Sequence, residues 1–520
     1  MTALELLQRP DVPGLRIRGA RAFLDPSRPD AGEVADAAVL IRDGRVAAAG
    51  PAADPATRDP AAVEIGGADH WLLPGLVDAH THGRGIGWFR LGALDDALEP
   101  WIYALAGQPP LDPYLDTVYQ NLRLIRAGVT TALHSHYPRD PSDPDELEAT
   151  LRAYTDTGLR VGFAVDLSTR NAFAYDDAAF LARLPPALRA RVDRVLGATA
   201  PPDVEGFFAR VRALAGRFHG HSGVRILHGP VAPQWVGDGE LARCGREADA
   251  LDGGVHTHVL ETVYQRVAAF RAHGESWIAH LDRLGVLGPR LSVAHAVWVD
   301  DDDVARLADA GVTVCHNPSS NLRLKSGIAP VLRMRRRGVH VALGGDNSIL
   351  GGEEDFLAEM RLCASLHRQP GFEGDTLGAA EVLTMATVHG AVAARFGDTV
   401  GRLVPGAAGD VVLLRDARLT APWTAPGLPA LDVLLHAGSA RDVETVVIGG
   451  RVVYHAGRHR GFDLAAVEDR LRAQAAAGAR ARGETAQLFE ELAAHLRAFH
   501  PFPFDDRAHY RYNAVVAPQT

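Results

Sequence analysis

Three things are scarce in this sequence, and each scarcity excludes something. Only three cysteines occur in 520 residues, Cys244, Cys315 and Cys363, odd in number and far apart. They can supply neither a disulfide framework nor a C-x-x-C metal site, so a reducing, cytoplasmic setting is expected. No uninterrupted apolar run approaches the roughly 20 residues that span a bilayer. The N-terminal stretch also lacks a basic segment followed by an apolar one, so no signal peptide is readable. Excess positive charge is missing as well: the formal net charge is -10. Neither a nucleic acid nor an anionic membrane surface would be drawn to such a balance. Lysine is the rarest basic residue, with Lys325 the only one; the rest are arginine.

What remains is an ordinary globular composition, 47% hydrophobic and 23% charged. The length suggests about three domains, or a large barrel with attachments. The middle of the chain repeats one local signature, a helical segment closed by glycine and followed at once by a short β-branched run. It begins at Gly128, Gly158, Gly223, Gly254, Gly311 and Gly338. Glycine tolerates the left-handed conformation that ends a helix, so each instance predicts helix stop, then strand. Runs at 71–77 and 290–297 bring the strands to eight. Eight strands alternating with helices predict an α/β fold, a (β/α)₈ TIM-like barrel. Residues 13–68 and 401–457 read instead as short strands with turns at Asp43-Gly44 and Gly449-Gly450. They are expected to pair into a small β-sandwich domain made from both ends of the chain. The expected division is 1–70 and 401–460 for that domain, 71–400 for the barrel and 461–520 for a helical tail broken near Pro501 and Pro503.

Active sites of such barrels lie where the strands end. The first run ends Asp78-Ala79-His80-Thr81-His82, and alternate residues of a strand share a face, so both histidines point inward. The fifth ends His256-Thr257-His258, with Glu261 three residues on. The sixth ends at His295 and the eighth at Gly344-Gly345-Asp346. Imidazoles with one carboxylate and open positions suit a catalytic divalent ion, Zn²⁺ first and Fe²⁺ as the alternative.

Five segments in order, PGLVDAHTHG (74–83), VHTHVLET (255–262), VAHAV (293–297), HNPSSNLRLKSG (316–327) and LGGDNS (343–348), resemble the amidohydrolase superfamily. The branch they fit best holds triazine hydrolases, S-adenosylhomocysteine deaminases and guanine or cytosine deaminases. The resemblance runs from about residue 13 to 457 and includes GRLVPGAAGDVVLL (401–414). It implies that His80, His82, His258 and Asp346 hold one metal ion, that Glu261 shuttles protons and that His295 assists the hydrolytic water. Binuclear relatives bridge two ions with a lysine on the fourth run; here that run has none. Two departures stand out. Relatives carry Gly-Thr-Asp-Gly at the eighth run where Gly345 and Asn347 flank Asp346 here, and the second run ends in an extra pair, His134 and His136.

The reaction expected is hydrolytic deamination of an amino-substituted nitrogen heterocycle. Hydrolysis of a cyclic amide or a ring C–Cl bond on the same site is the alternative, and a non-catalytic barrel or an open α/β binding protein the readings from another class. For the substrate, the loop at 83–101 offers Trp88, and the loop after the fourth run offers Gln234 and Trp235. Aromatic faces plus an amide suit a flat ring. Asn321 and His136 complete the expected contacts. His256 is left between supporting a ligand and a direct role, and Trp101 is assigned to packing. Asp300 to Asp303 read as a helix N-cap. Further copies of the chain, as a homo-oligomer, are the other expected partner.

Overall fold

The computed structural model describes residues 2–8, 12–138, 145–196, 202–221, 223–346, 354–479 and 483–501. Asn347, Ser348, Phe502, Pro503 and the rest of the expected tail to residue 520 lie outside the described residues.

Among the described residues, sixteen strands form two sheets of eight. The first half of the chain's β-domain supplies β1 (Gly14–Phe23), β2 (Glu33–Arg42), β3 (Arg45–Pro51) and β4 (Val63–Pro74). The barrel follows as β5 (Leu76–Thr81), β6 (Val129–Ser135), β7 (Arg160–Leu167), β8 (Val224–Pro230), β9 (Val255–Val259), β10 (Leu291–His295), β11 (Thr313–His316) and β12 (His340–Leu343). The chain then returns to the first sheet with β13 (Val411–Arg415), β14 (Val443–Ile448), β15 (Arg451–His455) and β16 (Arg458–His459).

Barrel strands pair in parallel in simple chain order. The ring is drawn shut where the Asp346 N–H donates to the His80 carbonyl at 2.8 Å, tying the end of β12 to β5. One expectation needs correcting. The first run, read as a single strand over 71–77, is two: Trp71 to Pro74 finish β4 in the terminal sheet, and the barrel begins at Leu76. The residues on either side of the break are buried and apolar, so composition carries no sign of it; only Gly75 stands between the two strands. Five of the six helix-closing glycines take positive φ, at Gly128, Gly158, Gly223, Gly311 and Gly338. Gly254 does not, and its reason is steric: a Cβ there would meet the Arg395 side chain at 2.9 Å.

The terminal segments form one mixed sheet, ordered β16-β15-β14-β13-β4-β1-β2-β3. It curls until the β2–β3 turn meets the other half, where the Gly409 N–H donates to Gly44 O at 2.8 Å. Ile17, Val39, Ile41, Val411, Leu413 and Val447 then share one buried layer between the halves. Asp300 caps its helix through a reciprocal capping box with Asp303, as expected.

The floor of the barrel is apolar. Val77, Ala79, Leu133, Ala164, Leu227, Cys315 and Ala342 form one buried cluster with Ala391, Ala394 and Phe396 from the plug segment 390–396. Small side chains there leave room for the plug. That plug lets the upper ends of the same strands carry polar groups.

Candidate active site

At the C-terminal mouth the structure brings together the imidazoles of β5, β9 and β10 and the carboxylate after β12. One ligand atom from each of His80, His82 and His258 lies within 4.8 Å of the others, and so does one from each of His80, His295 and Asp346. Asp346 Oδ1 is 3.3 Å from His80 Nε2 and 3.1 Å from His82 Nε2.

Each histidine is held by its other nitrogen. The His82 Nδ1–H donates to Ser135 O at 2.8 Å, and the His258 Nδ1–H donates to Val231 O at 2.7 Å. His80 Nδ1 is hydrogen-bonded to His256 Nε2 at 2.8 Å, and His256 Nδ1 in turn to Ser292 Oγ at 2.8 Å. His256 therefore orients His80. This arrangement fixes the tautomers and turns three Nε2 lone pairs to one point. His80 Nε2 is buried with no hydrogen-bond partner. Burial holds His80, His256 and His258 below the usual imidazole pKa, in the neutral form a metal needs. The donor set fits a divalent ion.

Asp346 is placed by hydrogen bonds the sequence did not advertise. The Ser320 hydroxyl donates to Oδ2 at 2.6 Å. Below it, Asp78 Oδ1 accepts the N–H of Gly345 at 2.9 Å and of His80 at 3.3 Å, knitting β5 to the β12 end. Gly344 allows that approach, since a Cβ would stand 2.8 Å from the His80 nitrogen. Leu260, His295, Ala296 and Asp346 all adopt positive φ (50°, 72°, 46° and 52°), a conformation that costs a residue with a side chain.

His295 sits 3.6 Å by Nε2 from Glu261 Oε2 and 4.0 Å from Asp346 Oδ2. Its Nδ1–H donates to Asn321 Oδ1 at 2.8 Å. Asn321, expected at the substrate, thus spends its oxygen on His295, while its buried Nδ2 has no partner. Glu261 precedes the N-cap Thr262 of the helix Val263–His273. Burial raises its pKa well above the ordinary carboxyl value, and the charges of Asp346 and Glu99 add to this against a hydrogen bond from Ser326. Ser326 Oγ donates to Glu261 Oε1 at 3.2 Å.

The expected pocket residues divide. The Gln234 side chain is buried beside β8, and neither its Oε1 nor its Nε2 has a hydrogen-bond partner. Trp235 is half-buried and faces Tyr175, ring centroids 5.9 Å apart. Trp88 is buried, with the Arg84 guanidinium over its face at 4.7 Å and Trp101 and Tyr137 against its edges. His136 is buried with Nε2 3.6 Å from Glu146, and His134 Nδ1 meets the Tyr154 hydroxyl at 3.0 Å. Sequence reading missed Glu99, on the helix Leu98–Leu105. Its Oε1 accepts hydrogen bonds from the Tyr175 hydroxyl at 2.8 Å and from Thr262, next to Glu261, while its buried Oε2 has no partner. No motif flags it; only the fold brings it to the mouth.

A barrel with this cluster at its mouth defines a hydrolase that works with a divalent metal. The chain belongs to the amidohydrolase family, whose model matches residues 71–453. It is 32% identical over 441 residues to the 5'-deoxyadenosine deaminase of Methanothermobacter thermautotrophicus, spanning 82% of this chain and 91% of that one. Over 409 residues it is 31% identical to a 5-methylthioadenosine/S-adenosylhomocysteine deaminase of Syntrophomonas wolfei, 77% of this chain and 85% of the other. Among solved structures, an adenosine deaminase from Xanthomonas campestris with bound zinc superimposes with a TM-score of 0.76 at 26% identity, covering 91% of this chain and all of that one. The chain is a hydrolytic deaminase.

Proposed function

We propose that this enzyme deaminates an amino-substituted nitrogen heterocycle, and specifically the adenine of a 5'-modified adenosine. The observation that carries the reading is Glu261: a buried carboxyl of raised pKa, beside His295 and three residues after His258. Loss of an amine requires an acid at that place. For the nucleoside, Gln234 offers a buried amide to a base edge. Glu99 Oε2 offers a buried acceptor of the kind a ribose diol would use. The names of the relatives support the same class.

His80, His82, His258 and Asp346 would hold the ion, which when bound lowers the pKa of water towards neutrality. Glu261 Oε2 takes one proton from the attacking water and gives it to the ring nitrogen, where it stays in the product. It then takes the second proton from the hydroxyl now on the ring carbon and gives it to the departing amine, which leaves as ammonia. Its raised pKa lets it hold each proton between uptake and delivery. Neutral His295, with Nδ1–H anchored on Asn321, turns Nε2 towards the space between Glu261 and Asp346 and accepts a hydrogen bond there. Burial has pushed its pKa to about 4, so it does not compete for the proton as a base. Purified enzyme should release one ammonia per 5'-deoxyadenosine consumed; product without ammonia would overturn the reading.

We infer one ion per chain. The two donor groups at the mouth share His80, and β8 carries no lysine that could bridge a pair. Two tight equivalents by metal analysis would refute this. We read the chain as a cytoplasmic homo-oligomer. Its three cysteines are unbridged, Phe372 and Trp423 stand exposed, and no helix among the described residues is long and apolar enough to cross a membrane. Sedimentation as a monomer would count against the oligomer.

A further inference from the structure

The helix Glu484–Phe499, near the C-terminal end of the described chain, packs on βα-loop segments at the barrel mouth. Leu488, Leu492 and Leu496, spaced to one helix face, are buried against Tyr103 and Phe180. Tyr103 lies on the helix that carries Glu99, in the loop after β5; Phe180 lies in the loop after β7, which carries Tyr175. Phe489 touches both loops, with ring centroids 5.0 Å from Tyr103 and 6.3 Å from Phe173. Beneath it the Tyr103 hydroxyl donates to Phe173 O at 2.6 Å. Arg497 pairs with Asp96, which also receives Lys325 at 3.2 Å, next to the Ser326 that serves Glu261. The His500 ring lies tilted against Tyr175, ring centroids 5.2 Å apart.

We propose that this helix is a working part of the substrate site: it clamps the loop after β5 to the loop after β7 and so positions Glu99 and Tyr175 for the ribose hydroxyls. Glu99 and Tyr175 sit on different loops, and their 2.8 Å hydrogen bond holds only while the loops keep register. Within the barrel no strand pairing fixes that register, because β6 separates β5 from β7. The helix supplies it from outside, through the Phe489 wedge and through ion pairs to both sides. Arg497 pairs with Asp96 before the Glu99 helix, and Glu484 and Glu491 pair with Arg194 and Arg191 in the segment after β7. Phe489 and Arg497 are positioning residues, acting through Glu99 rather than on substrate.

The proposal rests on the reading of Glu99 as the diol acceptor, and the test separates the two. Ammonia release is measured with 5'-deoxyadenosine and with 2',5'-dideoxyadenosine, which lacks one hydroxyl. A hydrogen bond to a charged acceptor corresponds to a preference of roughly ten- to hundredfold in kcat/KM for the wild type. Glu99→Gln should erase most of it. Phe489→Ala should raise KM for 5'-deoxyadenosine by about tenfold on the same scale, leave kcat within about twofold, and leave the dideoxy substrate unaffected. The double variant should be no worse than Glu99→Gln alone. Should Phe489→Ala fold poorly, Arg497→Ala, which removes a half-exposed ion pair, tests the same clamp with a smaller shift in the same direction. A wild type indifferent to the missing hydroxyl overturns the Glu99 reading and the clamp together. A preference that Glu99→Gln abolishes but both helix variants preserve overturns the clamp alone.

Discussion

The two ends of the barrel strands are made of different chemistry, although each strand contributes to both. At the floor Val77, Ala79, Leu133 and Leu227 meet the plug of Ala391, Ala394 and Phe396. At the mouth, β5 that held Val77 and Ala79 below presents His80, and β9 presents His258. Among the residues named at the floor there is no positive φ; around the mouth four residues with side chains have it. Buried polar atoms without partners occur at the mouth, at His80, Gln234, Asn321 and Glu99, as they do elsewhere in the described residues. Strain and unmet hydrogen bonds are unfavourable for folding, at about 1–3 kcal/mol each. They persist because the floor fixes the strands independently. One end of the barrel stabilises and the other reacts, and this division can be tested from either side.

The largest effect should come from His80→Ala. It removes a donor shared by both ligand groups, so metal and activity should vanish together, and the midpoint of thermal unfolding should become insensitive to added Zn²⁺. Full metal occupancy in the purified variant would remove His80 from the ligand set. Next comes Glu261→Gln, nearly isosteric. Metal content and fold should survive while kcat falls by at least about 10⁴-fold, the upper end of general acid–base contributions, since one group serves several proton transfers. Unchanged turnover would take Glu261 out of the chemistry.

The floor should show the opposite pattern. Phe396 is buried in the plug, and Phe396→Ala should cost about 3–5 kcal/mol of stability by leaving a cavity. Below its unfolding temperature the variant should keep metal content and kcat. A tenfold loss of kcat at full metal loading would show that the two ends are not independent.

How much of this division the sequence disclosed follows from how local each feature is. The ring of eight strands was legible because helix stops and β-branched runs are local signals. The inward histidines were legible because strand alternation fixes their side. The break at Gly75 was hidden, since two buried strands in succession look like one. Ser320 and Ser326 lay within a segment already singled out, yet nothing in it says which serine reaches Asp346 and which Glu261. Glu99 was invisible: its partners Tyr175 and Thr262 are distant in sequence and meet it only when three loops converge. His80, His258 and His295 sit on strands and could be read; Glu99 and Tyr175 sit on the loops after β5 and β7 and could not.

The smallest predicted effect probes the mouth alone, through the acidic limb of the pH profile. Glu261 must be ionised to accept the water proton, so kcat/KM should fall as pH drops through its pKa, which burial sets well above the ordinary carboxyl value. Two neighbours adjust it in opposite directions. The Ser326 hydroxyl donates to the carboxylate and so favours the charged form. Ser326→Ala removes that support, raises the pKa and should move the limb to higher pH. Glu99 is a second carboxylate close enough to oppose ionisation of the first. Glu99→Gln removes its charge, lowers the Glu261 pKa and should move the limb to lower pH. Shifts of this kind are of the order of one pH unit or less, since one unit already corresponds to about 1.4 kcal/mol. A floor substitution such as Phe396→Ala should leave the limb where it is. Limbs moving the same way in Ser326→Ala and Glu99→Gln would mean that another group controls the profile, and that Glu261 is not the proton carrier read from its position.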